Sequence, residues 1–233
     1  MGSVKVPDYQ VFEKIRPGFG GGLLTAIRES LNPVLISPSN EAAEILVVQC
    51  QVNDNQIRVI NGYGPQDDDP LATRLNFWTS LEQDIISAKD ANCLVLVQLD
   101  ANAKVGKNII PLDPNEISEN GKLLVDLIKR ENLQIQNISP LCRGTITRQR
   151  ITKRGDEKSI LDYIITCDKL NELIELIDEE QNFSLMKYAS IKGKQKIVKS
   201  DHNVMFASFD LHYQNVNCKK PRRELFNLKY LQT

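Results

Sequence analysis

The sequence predicts a layered α/β sandwich. Three observations carry that prediction: β-branched runs alternate with amphipathic helical stretches between residues 44 and 140, turn-forming residues separate paired runs, and the chain is 233 residues long and 41% hydrophobic. A chain of that length and composition suits one sizeable core. The elements follow in order. Residues 44–50 form a compact β-branched run and residues 56–61 a second, with Asn53-Asp54-Asn55 between them suiting a hairpin turn. Over residues 73–92, Leu75, Trp78, Leu81, Ile85 and Ala88 recur at three and four, the buried stripe of an amphipathic helix. Residues 94–99 read as a buried strand.

A second helix is predicted over residues 121–132, with Leu123, Leu124, Leu127 and Ile128 inward, and strand character resumes over 133–138. Residues 148–158 read as a basic loop and 160–166 as a strand. Asp168 is placed to cap a helix reaching Ile177, and residues 204–211 form a last strand. One domain over residues 1–213 follows, with 214–233 a basic linker in which Lys219, Lys220, Arg222 and Arg223 surround Pro221; a solvated charge run is the plain account of it. No internal repeat or low-complexity tract is present.

Lys plus Arg number 29 against 30 for Asp plus Glu, so net charge exerts no global pull toward nucleic acid or an anionic membrane; a nucleic-acid site has to be a local patch. The five cysteines, Cys50, Cys93, Cys142, Cys167 and Cys218, form no CxxC pair and predict free thiols in a reducing compartment. The start Met1-Gly2-Ser3 leads into no apolar signal region, and no segment has the unbroken apolar length of a membrane span, so an intracellular protein, nuclear or cytoplasmic, is expected.

The chemistry gathers at strand ends. Asp100 and Asn102 stand two apart where the run from Leu94 stops, an oxygen-rich pair that suits magnesium or manganese, although a plain turn accounts for the fragment alone. Tyr63 and Gln66 offer a phenol and a carboxamide to a phosphate oxygen after another strand; a tight turn with a packed tyrosine is the alternative. Thr145 and Ser159 flank the basic loop and offer hydroxyls for the same purpose. His202, one of two histidines, follows Asp201 just before the run Val204-Met205-Phe206. A phosphodiester needs charge neutralised, an activated water and help for the leaving oxygen, and metal, Asp, Asn and His supply these together. Asp162, accepting from one ring nitrogen of His202, would fix the tautomer and leave the other nitrogen facing phosphate.

The series NGYGP, LDANAKVGK, NGKLLVDLI, GTITR, SILDYII and SDHNVMF resembles, in order and spacing over residues 8 to 211, the endonuclease/exonuclease/phosphatase family, most closely the apurinic-like endonucleases of LINE-type non-LTR retrotransposons. The resemblance implies a four-layer αββα sandwich of two mixed, largely antiparallel sheets that cuts DNA phosphodiesters with one divalent metal, Mg2+ or Mn2+. It implies that Asp100 activates or orients water and Asn102 positions it, that Asp201 lies near the metal or leaving group, and that His202 binds phosphate, oriented by Asp162. Tyr63 matches the family's phosphate-binding tyrosine, while Gln66 stands where relatives often carry asparagine. Gly20-Gly21-Gly22-Leu23-Leu24 is similar to the glycine-rich strand start of these domains, and Arg222 to Lys229 to the connector ahead of a reverse transcriptase.

Two departures bear on activity. Residues 7–12 resemble the strand that follows the family's Gln-Glu metal motif, so the first family strands and that glutamate are missing from this sequence. Glu41, Glu44 and Asp8 do not align with it. Weakened or absent hydrolysis is therefore expected, with a non-catalytic nucleic-acid- or protein-binding domain as the alternative. An incomplete sheet edge also predicts pairing with a second copy or a swapped strand. The other departure is Leu99, which replaces a family glycine and is expected to narrow the site or shift Asp100.

Overall fold

The computed structural model describes residues 4–16, 22–152, 155–172, 174–180, 186–191 and 194–209. Gly20, Gly21, Cys218, the last two residues of the expected final strand and the basic tail lie outside the described residues. In chain order the strands are β1 (Tyr9–Lys14), β2 (Leu23–Arg28), β3 (Val34–Ile36), β4 (Ile45–Val52) and β5 (Asn55–Tyr63), followed by helix α1 (Leu71–Asp90) and β6 (Leu94–Asp100). Helix α2 (Glu119–Arg130) leads to β7 (Leu133–Ile135), β8 (Cys142–Arg143), β9 (Arg148–Thr152), β10 (Gly155–Ser159) and β11 (Asp162–Cys167). The short helix α3 (Asp168–Asn171) precedes β12 (Ile174–Glu180), β13 (Met186–Ile191), β14 (Lys194–Lys199) and β15 (Val204–Phe209).

The central sheet is mixed and six-stranded, in the order β3-β4-β5-β6-β11-β7. Strands β4 and β5 form the expected hairpin, turned by Asn53 at φ 53, a left-handed conformation that asparagine tolerates. Strands β5 and β6 run parallel, which requires a crossover, and α1 provides it. The period of two then sorts each strand between two cores. Ile45, Val47, Ile60, Val95 and Val97 face α1 and α2, meeting Trp78, Leu81, Ile85, Leu124 and Leu127. Leu46, Val48, Ile57, Val59 and Leu94 face the other way, toward Phe12 and Ile27 of the β1-β2 hairpin and Phe209 of β15. That second layer is built in pieces, β1-β2 and β15-β12-β8.

Several expectations need correction. Leu75 is exposed, and Phe77 takes its place on the buried stripe of α1. Residues 148–152 and 155–158 belong to two paired strands, β9 and β10, whose charged side chains at Arg150, Asp156, Glu157 and Lys158 are exposed; polar residues on both faces hide a strand's alternation. The N-cap of α3 is Cys167 with Asp168 in the first turn, and the helix stops at Asn171, giving way to a strand at Ile174. Strand β7 ends at Ile135, where a 3-10 turn follows. Leu99 is buried in the helix-side core beside Gly62 and Phe77, and it also borders the cavity that holds Asp100. Strands β3, β13 and β14 had no counterpart in the sequence expectations.

Candidate active site

Three adjacent strands set the site in register. Tyr63 at the end of β5 pairs with Asp100 at the end of β6, and Asp100 pairs with Asp162 at the start of β11. One rung of the sheet thus carries a phenol and two carboxylates. The loop joints are tight: Gly64 N–H donates to the Asp100 carbonyl at 2.7 Å, and the Asn102 amide donates to the Gly64 carbonyl at 2.8 Å. A Cβ on Gly64 would come within 2.4 Å of the Ala101 carbonyl oxygen, so only glycine permits this approach. Asn102 itself sits at φ 45 and donates its own N–H to Asp100 Oδ1 at 3.3 Å.

His202 arrives from a distant part of the chain. The segment around it runs beside β9: Gln149 N–H donates to the Asp201 carbonyl, Asn203 N–H donates to the Thr147 carbonyl, and Arg148 bridges His202. Its Nδ1 lies 3.1 and 2.9 Å from the two Asp162 oxygens and 4.0 Å from Asp100 Oδ2. Asp100, Asp162 and His202 are the one group of metal-capable side chains found among the described residues. Burial, then the facing Asp162, push the Asp100 carboxyl up to about 6, partly countered by His202. Its bond to Asp162 raises the His202 pKa above the ordinary imidazole value, against the effect of burial.

A divalent cation fits this chemistry, because two carboxylates held side by side in a partly buried site repel each other until a positive charge joins them. The open carboxylate is that of Asp100. Asp162 is engaged by His202, and Asp201 is paired with Arg148 at 2.9 Å, which holds the Asp201 carboxyl below the usual carboxylate range against the opposing effect of burial. Asp201 therefore stands beside the group and outside it. Tyr63 and Gln66 come together, the Gln66 amide 3.4 Å from the phenol. Thr145 is half-buried and Ser159 is buried, and neither lines the cavity of about 360 Å³ bounded by Tyr63, Asp100, Asp162 and Asn203.

Sequence reasoning missed Thr147, although GTITR contains it. Its fully buried hydroxyl accepts from Leu161 N–H at 2.9 Å and Asp162 N–H at 3.1 Å, while its carbonyl holds Asn203. One residue thus ties the Asp162 strand to the His202 segment. Asn137 donates to the Asp162 carbonyl, and the fully buried Asn120 links Pro65, Trp78 and Asp67 beneath the Tyr63 loop. Side chains of this kind carry no periodic signal, since long-range contacts decide their roles.

No family model and no curated protein sequence matches the chain. Solved structures do match its fold. The endonuclease domain of TRAS1, a telomere-specific non-LTR retrotransposon, aligns at TM-score 0.57 and 19% identity over 88% of this chain and 82% of its own. The AP endonuclease LMAP from Leishmania major aligns at 0.57 and 15% over 86% and 70%, and an AP endonuclease from Archaeoglobus fulgidus at 0.56 and 17% over 88% and 80%. The chain has the sandwich fold of these endonuclease/exonuclease/phosphatase proteins.

Proposed function

We propose that the chain is a nuclease-type phosphodiesterase that nicks DNA by water attack on phosphate. The observation that carries this is the rung Tyr63–Asp100–Asp162 with His202 hydrogen-bonded to Asp162. With Nδ1–H given to Asp162, His202 offers Nε2 to a non-bridging or leaving oxygen, and its raised pKa favours the cationic form that an anion wants. Asp100 orients the attacking water, Asn102 holds the loop that presents it, and Tyr63 with Gln66 hydrogen-bonds the phosphate. Thr145, half-buried, contacts the strand farther out, whereas Ser159 is buried away from it, and the exposed β9-β10 hairpin offers Arg150 and Lys158 to the phosphate backbone. Asp100 would hold Mg2+ or Mn2+ together with substrate oxygens, with Asp162 and Asp201 nearby; when bound, the ion supplies Lewis-acid stabilisation to the phosphate. Metal-dependent conversion of supercoiled plasmid to nicked circles, absent from His202→Ala, tests this reading, and its absence from the unaltered protein rejects it.

One observation favours the second reading, a non-catalytic domain that keeps the nuclease fold: Asp162 and Asp201 are already occupied by His202 and Arg148. A cation then has one open carboxylate and relies on substrate oxygens to complete its shell. Calorimetric titration with Mn2+, with and without an oligonucleotide, separates the two readings. Binding only in the presence of the oligonucleotide supports catalysis, and none in either case supports the scaffold. Pairing of two copies through strand edges of the divided second layer belongs to the same proposal, and sedimentation as a monomer would remove it.

A further inference from the structure

Tyr63 also lines a second cavity, of about 390 Å³, none of whose walls is Asp100, Asp162 or His202. Apart from Tyr63 and Gln66, its walls take no part in the proposed chemistry. Arg16 defines one wall. Its Nε and Nη2 both donate to the two oxygens of Glu44, and its guanidinium carbon stands 4.3 Å from the centroid of the Tyr63 ring. A fork-to-fork pair combined with stacking fixes the plane of a guanidinium. Pro65 and the buried Phe77 supply apolar wall, and Asn76 and Gln66 set amide groups beside it. Because Glu44 neutralises Arg16, this is no anion hole: a phosphate would meet the Glu44 carboxylate. An alkyl chain would take the ion pair and the remaining hydrogen-bonding capacity of the amides out of water with nothing in return. A flat heteroaromatic ring meets both demands, stacking on a planar group and bonding amides at its edge.

We infer that this cavity receives one nucleobase of the substrate strand, next to the phosphate at Tyr63; the inference rests on the phosphodiesterase reading above. Guanidinium planes and aromatic faces are stacking platforms for unpaired bases, and the volume lies within the range of small-molecule sites.

The test uses fluorescein-labelled single-stranded dodecamers, identical except for one abasic nucleotide moved along the strand, with affinity read by anisotropy in chelator so that no cutting occurs. At one position the missing base should weaken binding about 10-fold or more. Arg16→Lys keeps the charge without the plane, and Ala42→Trp fills the cavity from another wall. Each should bring the ratio of intact to abasic affinity at that position to about one. A ratio near one at every position in the unaltered protein overturns the inference, as does a ratio that survives both substitutions. Base-dependent binding by a protein that never nicks plasmid upholds the pocket and removes the reaction; nicking without base dependence removes the pocket alone.

Discussion

Asp100→Asn should stabilise the protein in neutral solution. In the fold Asp100 lies partly buried opposite Asp162, and its pKa rises from 3.8 to about 6. A shift of about two units corresponds to roughly 3 kcal/mol of preference for the protonated acid. An acid whose folded pKa exceeds its unfolded one binds protons more tightly when folded. Below 3.8 the carboxyl is neutral in both states and costs nothing; the penalty grows between 3.8 and about 6, and above that it is complete. Asparagine keeps the shape and an oxygen for the Asn102 N–H, so the substitution removes the charge alone. Urea unfolding in chelator, followed by the single buried Trp78, should give a gain of about 1–3 kcal/mol at pH 7.5 that fades toward pH 4. An Asn variant less stable at pH 7.5, or a gain independent of pH, would refute the reasoning.

Other predictions follow from the same contacts. Thr147→Val leaves the N–H groups of Leu161 and Asp162 without their acceptor and should cost about 1–3 kcal/mol of unfolding free energy, with Thr147→Ser recovering most of it in the same urea titration. Gly64→Ala drives a Cβ against the Ala101 carbonyl and should cost about 1–3 kcal/mol while slowing nicking, measured on one preparation. Because its bond to Asp162 raises the folded pKa of His202, that pair's stabilisation is fully present below pH 6.5 and lost as pH rises through the raised value. Stability profiles of the unaltered protein and His202→Gln should therefore converge as pH rises beyond it.

Asp100, Asp162 and His202 were legible because each stands where an apolar run begins or ends, a position marked by local pattern. Their company was less so. Asp201 adjoins His202 in sequence and was expected near the metal or leaving group; what the sequence hid is its partner, since pairing between residues 147–149 and 201–203 delivers Arg148 to it. That is a contact between segments far apart in the chain. Thr147 escaped notice for the same reason: a buried hydroxyl serving two backbone donors looks in sequence like any strand threonine. The β9-β10 hairpin read as a loop because Arg, Lys, Asp and Glu occupy both of its faces, and the helix expected to reach Ile177 was extended over Ile174, Leu176 and Ile177, a spacing that suits either element. The two main helices and the β4-β5 hairpin, by contrast, carry their periods and turn residues openly.

The nicking rates of Asp162→Asn, His202→Ala and the double variant, measured on supercoiled plasmid in Mn2+, test most directly whether these two residues work as one unit beside Asp100. Each single substitution should lower the rate by about 100-fold or more, and the double variant should be no slower than the worse single. Losses that multiply in the double variant, or an Asp162→Asn protein that nicks at the unaltered rate, would contradict the assignment of Asp162 as the group that holds and orients His202.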